Sequence, residues 1–375
     1  MNRIWLSAPH MCGREHEYIN EAIQTNWVAP LGPNVDKFEI GLANYLKARS
    51  VVSLNSGTAA LHLALRSFNV QKGDVVICQS FTFAASAFPI LYCDAEPVFV
   101  DSESETWNMD PDLLLRAIKD QTQKGKKIAA IIIVHLYGMP AKMKEILAIA
   151  SQYQIPIIED AAEALGSKYE NSPCGNIGNI GVLSFNGNKI ITTSGGGALV
   201  SNDELIIQKV RHVSAQAKEP APYYFHKELG FNYRLSNICA GIGRGQLEVL
   251  SERVEKRRMI FHQYQSELSK IKGLMFLAEP AGCFSNRWLT TIIFDKGVFE
   301  PGTNERVRMG LEKLNIESRP LWKPLHQQPV FSNHESYVNG VSDELFSNGL
   351  CLPSGSIMTK EEVDLVIKEI TRILK

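Results

Sequence analysis

The chain lacks the features that would direct it to a membrane, a nucleic acid or an oxidising compartment. No segment reaches the ~18 uninterrupted apolar residues of a membrane span. The opening stretch Met1–His10 has no long apolar core either, so a cytoplasmic location is expected. Neither sign of charge dominates: 39 Lys and Arg stand against 40 Asp and Glu, a net charge of −1, which predicts no basic face for nucleic acid and no membrane-surface signal. The seven cysteines (Cys12, Cys78, Cys93, Cys174, Cys239, Cys283 and Cys351) are odd in number, widely spaced, free of any C-x-x-C pair and near no histidine cluster. They read as reduced thiols, with neither a disulfide framework nor a metal site. Internal repeats and low-complexity tracts are absent. Dinucleotide fingerprints are missing too: Gly195–Gly197 lacks the spacing, and Gly241-Ile-Gly243-Arg-Gly245 lies in a helical pattern with no strand before it. Small-molecule chemistry remains.

With 375 residues, 45% of them hydrophobic, there is material for one large domain and a smaller one. Apolar runs alternate with amphipathic segments, the pattern of a mostly parallel sheet wrapped by helices. Strands are predicted at Val75–Cys78, Pro97–Val100, Ala129–Val134, Ile155–Ile158, Gly181–Ser184 and Ala198–Val200, with helices such as Asp110–Asp120 and Met143–Gln152 between them. Functional groups of such sheets gather at the carboxyl ends of strands, where Asp101, His135, Asp160 and Ser184 fall. One long helical pattern then runs through Gln246 and Leu250 into the charged stretch Glu252–Arg258, which reads as a solvated helix face. The domain boundary is expected there, with a large domain over 1–245 and a small α+β domain over 246–375. Residues 1–19 are expected against the small domain.

The densest chemistry lies between Ile157 and Val200. One apolar strand delivers Asp160, and about thirty residues later a second delivers Lys189 ahead of the glycine cluster. Either alone is ordinary, the aspartate as a loop cap and the lysine as a surface group. Together they match what pyridoxal phosphate requires: a carboxylate to keep the pyridine nitrogen protonated and an amine to bind the aldehyde carbon. The run Ser53–Leu65 adds an apolar segment, a small polar turn and a helix, so the free N–H groups at Gly57 and Thr58 can cradle a phosphate, although a plain Ser or Thr helix cap has the same pattern. Ser184 can contribute a hydroxyl.

Taken in order, Ser-Gly-Thr-Ala-Ala-Leu, Ser-Phe-Thr-Phe, Glu-Asp-Ala-Ala-Glu-Ala-Leu-Gly, Ser-Phe-Asn-Gly-Asn-Lys, Gly-Gly-Gly, Asn-Tyr-Arg-Leu-Ser-Asn and Arg-Pro-Leu-Trp-Lys-Pro-Leu-His resemble the DegT/DnrJ/EryC1/StrS sugar aminotransferases over almost the whole chain. The resemblance implies fold type I of the pyridoxal-phosphate enzymes: an α/β large domain on a mostly parallel seven-stranded sheet, with a smaller α+β C-terminal domain. It implies that Lys189 is the lysine that links the cofactor, Asp160 the pyridinium partner and Glu163 the neighbour of the phenolic oxygen, where many relatives carry Gln or His. By the same resemblance Phe83 stacks on the ring, Gly57, Thr58 and Ser184 hold the phosphate, and Asn232 reaches the phosphate in the neighbouring subunit. A homodimer with shared sites follows.

Within the family, His10-Met11, Ala29–Pro33, Asn188–Gly197 and Ser285–Trp288 are most similar to the members that aminate a UDP-4-keto-6-deoxy-N-acetylhexosamine on the way to bacillosamine. Nucleotide-sugar contacts are expected from Trp27, Leu31 and Gly32 in a Pro-Gly loop, and from Asn286, Arg287, Arg319, Trp322 and His326, although the tryptophans read equally well as buried structure. L-Glutamate is the family's habitual amino donor. GDP-perosamine-type and dTDP-sugar enzymes are the alternatives. A dehydratase of the same family would carry His in place of Lys189, a nicotinamide dehydrogenase would need the missing fingerprint, and a regulatory protein that keeps the fold without catalysis is the non-enzyme alternative.

Overall fold

The computed structural model describes residues 2–375. Its centre is an eight-stranded sheet in the spatial order Ser50–Leu54, Gly197–Ser201, Ile180–Ser184, Ile157–Asp160, Ile128–Val134, Val75–Gln79, Glu96–Val100 and Ser336–Tyr337. The strands from Ile180–Ser184 onward run parallel, while Gly197–Ser201 is antiparallel to both of its neighbours. Parallel strands covered on both faces need unbroken apolar runs, and Ile-Ala-Ala-Ile-Ile-Ile-Val134 is buried at every position after the first. Helices Gly57–Ser67 and Glu204–Ser214 pack on one face, Pro111–Gln123 and Met143–Gln152 on the other.

Four expectations change. The large sheet has eight strands rather than seven, because Ser336–Tyr337 from the C-terminal region adds one at its edge. The strand predicted at Ile155–Ile158 lies at Ile157–Asp160, because Pro156 has no N–H to donate and the ladder starts after it. Glu159 and Asp160 are therefore the last rungs of the strand. The long helix is two helices, Asn237–Glu248 and Leu250–Leu268, broken at Val249 with φ −109° and ψ 7°. The charged stretch is not a solvated face: Arg253 and Arg257 are buried one turn apart beside Val254, while Glu252 and Glu255 face out. The N-terminal segment covers those two arginines. Ser7 Oγ accepts from Arg257 at 2.9 Å, and the His10 carbonyl accepts from Arg253 at 3.4 Å.

The C-terminal region holds a four-stranded antiparallel sheet in the order Leu274–Phe276, Thr290–Phe294, Gly349–Leu352, Arg319–Pro320, backed by helices Leu250–Leu268, Thr303–Glu312 and Lys360–Leu374. Residues 4–6 join its edge, through an Ile4–Ile316 bridge and a 2.8 Å bond from Ser354 N to the Leu6 carbonyl. The eighth strand of the large sheet, Ser336–Tyr337, comes from this same C-terminal region. Among the described residues no helix is long and apolar enough to cross a membrane.

Candidate active site

A cavity of about 370 Å³ opens at the carboxyl ends of the parallel strands, lined by Gly57, Thr58, Phe83, Asp160, Glu163, Ser184, Lys189, Trp288 and Trp322 among others. The wall made by the helix start follows from its local sequence. Helix Gly57–Ser67 begins at the cavity with Ser56 as its cap, and Ser56 Oγ takes the Ala59 amide at 3.0 Å, leaving the other first-turn N–H groups without intrahelical partners. Gly57 has no side chain for a reason visible here: a Cβ would lie 3.1 Å from Ser184 Cβ, filling the cradle between them.

Asp160 closes its strand and is 5% exposed. Burial raises its pKa above the ordinary carboxylate range, and the hydroxyl of Ser86 at 2.7 Å and the amide of Ala162 at 3.2 Å pull it back. Thr82 Oγ1, 2.9 Å from Ser86 Oγ, extends the chain.

Lys189 lies in a turn beyond strand Ile180–Ser184, half-buried, its Nζ 3.5 Å from Glu163 Oε1 and 4.2 Å from the centroid of the Trp288 ring. Burial raises the Glu163 pKa, while Lys189 and the Tyr137 amide, 2.7 Å from Oε2, oppose the shift. Tyr137 is buried in the left-handed region at φ 53°, a conformation that costs on the order of 1 kcal/mol in a non-glycine residue. It is held there by the indoles of Trp288 and Trp322, whose centroids lie 6.5 and 6.2 Å away with rings tilted by 15°, and its hydroxyl accepts from Trp322 N at 2.9 Å.

Phe83 is 55% exposed at the cavity, where a ring-stacking residue has to be open, and its ring centroid lies 5.5 Å from that of Trp322. Other expected contacts lie elsewhere. Asn286 is fully buried and braces the chain beneath Glu163, donating 2.9 Å bonds to the carbonyls of Glu163 and Leu165. Arg287 turns away from the cavity, because its guanidinium sits 3.7 Å from the Phe261 ring and donates to the Leu277 carbonyl at 2.8 Å. Arg319 is exposed and paired with Glu317 at 2.9 Å. His326 bridges Ser80 Oγ at 2.7 Å and Asp343 at 2.9 Å, tying the Trp322 loop to the Phe83 loop without lining the cavity. Trp27 and Leu31 are exposed, and Asn232 lies on the surface outside the cavity. Gly32 is buried against Asn237, whose Oδ1 accepts from the Asn34 amide at 2.9 Å and so caps the helix Pro33–Leu46 in place of the side chain Gly32 lacks.

Sequence reasoning missed Tyr137 and Ser86 altogether, and met Asn237 only as the last residue of the Asn-Tyr-Arg-Leu-Ser-Asn run. It met Trp288 only as the end of the segment Ser285–Trp288. No local pattern distinguishes these residues, because each acquires its part through a contact far along the chain.

The residues fit pyridoxal phosphate: a buried carboxylate with its own hydrogen-bond donors, an amine across the cavity from it, an open aromatic face, and a helix start cleared of any Cβ. Such a set defines a pyridoxal-phosphate enzyme. The model of the DegT/DnrJ/EryC1/StrS aminotransferase family matches residues 9–371, and the chain belongs to that family. It is 53% identical to Bacillus subtilis EpsN, which bears the name of a pyridoxal phosphate-dependent aminotransferase, over 98% of this chain and 94% of that one. It is 34% identical to the GDP-perosamine synthase of Caulobacter vibrioides over 99% and 98%. A solved DegT/DnrJ/EryC1/StrS aminotransferase from Brucella abortus superposes with a TM-score of 0.89 at 31% identity, covering 96% of this chain and 95% of that one. The protein is thus a pyridoxal-phosphate-dependent sugar aminotransferase.

Proposed function

We propose that the enzyme transfers the amino group of L-glutamate to the 4-keto carbon of a nucleotide-linked 4-keto-6-deoxy sugar, a UDP-2-acetamido-2,6-dideoxy-4-keto-hexose, for bacillosamine-type glycans. The single observation that carries the chemistry is that Asp160 and Lys189 line one cavity with the start of helix Gly57–Ser67. The segments His10-Met11, Ala29–Pro33, Asn188–Gly197 and Ser285–Trp288 support the sugar. GDP-perosamine-type substrates are the second reading, favoured by the 34% identity to perosamine synthase. Residues 1–245 form the cofactor-binding unit in this proposal, and 246–375 the smaller one.

Bound pyridoxal phosphate supplies the carbon that carries the amino group and the ring that takes up electrons. The chain does the rest. The amides of Gly57 and Thr58 and the Ser184 hydroxyl hold the phosphate, Phe83 covers one ring face, and Asp160 keeps a proton on the ring nitrogen. The Lys189 amine, once released, takes the proton from the donor's α-carbon and later delivers one to the sugar carbon. Glu163, buried beside that amine, provides a charge that the moving proton can be set against. Trp322 and Phe83 offer aromatic faces to the sugar at the opening.

Asn232 of the partner subunit completes the phosphate site in this reading, which makes the homodimer the working unit. Mixing Asn232→Asp with Lys189→Ala then restores partial activity, and confirmed heterodimers without activity remove the shared site. The substrate is tested with 4-keto UDP, GDP and dTDP sugars, following the product by mass. A product from the GDP sugar alone overturns the UDP assignment, and no aminated product from any of them overturns the reaction.

A further inference from the structure

Helix Leu250–Leu268 buries a cation with no anion to meet it. Arg257 is 1% exposed, and among the described residues no carboxylate pairs with it. Its guanidinium donates to two neutral acceptors, the Trp288 carbonyl and Ser7 Oγ, the latter at 2.9 Å. Burial and the nearby Arg253 lower its pKa to about 9. Taking a charge out of water on these terms is expensive, and apolar side chains of similar volume often serve stability as well or better. Structure alone does not account for an arginine here.

Its two acceptors converge again on one atom. Ser7 Oγ donates to the Asn188 carbonyl at 2.7 Å, and Trp288 Nε1 donates to the same carbonyl at 2.8 Å, occupying both of its lone pairs. The next residue is Lys189, and its Nζ lies 4.2 Å from the centroid of that same indole. Trp288 therefore holds the lysine at both ends, by a hydrogen bond at the backbone and a π face at the amine. Arg257, with five donors in a fixed fork, fixes Trp288 through its backbone and Ser7 through its hydroxyl. The three segments that meet here are the N-terminal segment, the Leu250–Leu268 helix and the loop before Thr290–Phe294.

We propose that Arg257 is a positioning residue for Lys189, acting through Ser7 and Trp288 to fix the Asn188 carbonyl and so the arc through which the lysine amine swings. The proposal rests on Lys189 being the lysine that serves the cofactor. A lysine amine that must reach two carbons in turn on a flexible four-carbon stem needs its backbone pinned, because a displacement of about 1 Å costs on the order of a hundredfold in rate. The small domain and the N-terminal segment thereby take part in the chemistry without touching substrate.

The test uses the cofactor-loaded enzyme and the variants Ser7→Ala, Trp288→Phe, Arg257→Met and Arg257→Lys. Ser7→Ala strips one of two acceptors from a buried cation, so it is expected to lower the melting temperature by about a few degrees, and, at a temperature where the variant is fully folded, to lower kcat about tenfold with the donor KM within about twofold of the parent. The visible circular dichroism of the bound cofactor should change with it. Arg257→Lys, a single-pronged cation, should not rescue what Arg257→Met loses. Ser7→Ala added to Arg257→Met should cost nothing more, since the two act in series. Unchanged kcat and visible dichroism in both Ser7→Ala and Trp288→Phe overturn the proposal even where Arg257→Met fails to fold, and so do independent, additive losses in the double variant. Borohydride reduction and peptide mapping separate this failure from a deeper one: a tag on another lysine removes the assignment of Lys189, whereas a tag on Lys189 with unaltered kinetics removes the positioning role alone.

Discussion

Asp160 and Lys189 line one cavity, yet the molecule secures them in opposite ways. Asp160 is the last residue of a central parallel strand, and its donors follow strands of the same sheet, Ala162 its own strand and Ser86 the strand Val75–Gln79. Lys189 lies beyond the sheet, in a turn whose carbonyl, amine and counter-charge are held by Ser7, Trp288 and Glu163. The acid is thus built into the scaffold, whereas the base hangs from contacts between remote segments. A group that only has to stay charged in one place suits the first arrangement; one that has to move between two atoms suits the second.

The sharpest way to break the comparison is to remove one side at a time. Lys189→Ala should reduce turnover by at least about a thousandfold while pyridoxal or pyridoxamine phosphate still binds, because the Asp160, phosphate and stacking contacts remain. Absorbance titration and single-turnover assays check this, and steady turnover within tenfold of the parent removes the assignment. Asp160→Asn should lose about a hundredfold and release cofactor more readily, since an amide cannot keep the ring nitrogen protonated. An unchanged rate means that another acid holds the ring.

Two smaller effects sharpen it. Ser86→Ala should weaken cofactor retention about tenfold by dialysis or equilibrium titration, the worth of one hydrogen bond to a charged group. Should the loss match Asp160→Asn instead, the hydroxyl is itself part of the acid. Glu163→Gln addresses the other wall through pH. Burial raises the Glu163 pKa, so the folded chain holds that proton more tightly than the unfolded one, and stability falls as pH rises above the ordinary value of 4.5. The cofactor-free Gln variant should therefore gain a melting temperature roughly 1–3 °C above the parent at pH 7–8, a gain that disappears near pH 4. A difference that is the same at both pH values would show that Glu163 is not the group that titrates.

The same contrast explains which parts were legible in the sequence. The strands carrying Asp101, His135, Asp160 and Ser184 were readable because a strand buried on both faces must be apolar throughout, and the groups at its end then stand out. The helix start at Gly57 was readable because small polar residues before an apolar helix have a local cause. Arg257 was misread for the complementary reason. A charged run looks solvated until an N-terminal segment some 250 positions away covers it, as the Arg257–Ser7 bond spanning 250 positions does here. Arg287 carried a cation in the right neighbourhood, but its left-handed backbone at φ 53° turned it toward Phe261, and nothing in the residue types foretold that turn.

The short strand Ser336–Tyr337 has a meaning beyond topology. It covers the outer edge of Glu96–Val100, whose Phe99 and Asp101 amides otherwise point at solvent and instead donate to the carbonyls of Glu335 and Tyr337 at 2.9 and 3.0 Å. An uncovered edge on an apolar parallel sheet is a template for another chain. The C-terminal region thus guards this sheet edge against pairing with another chain, besides forming a wall of the catalytic cavity. A change that frees this strand alone leaves the sheet with a sticky border, and aggregation rather than simple inactivity is its expected outcome.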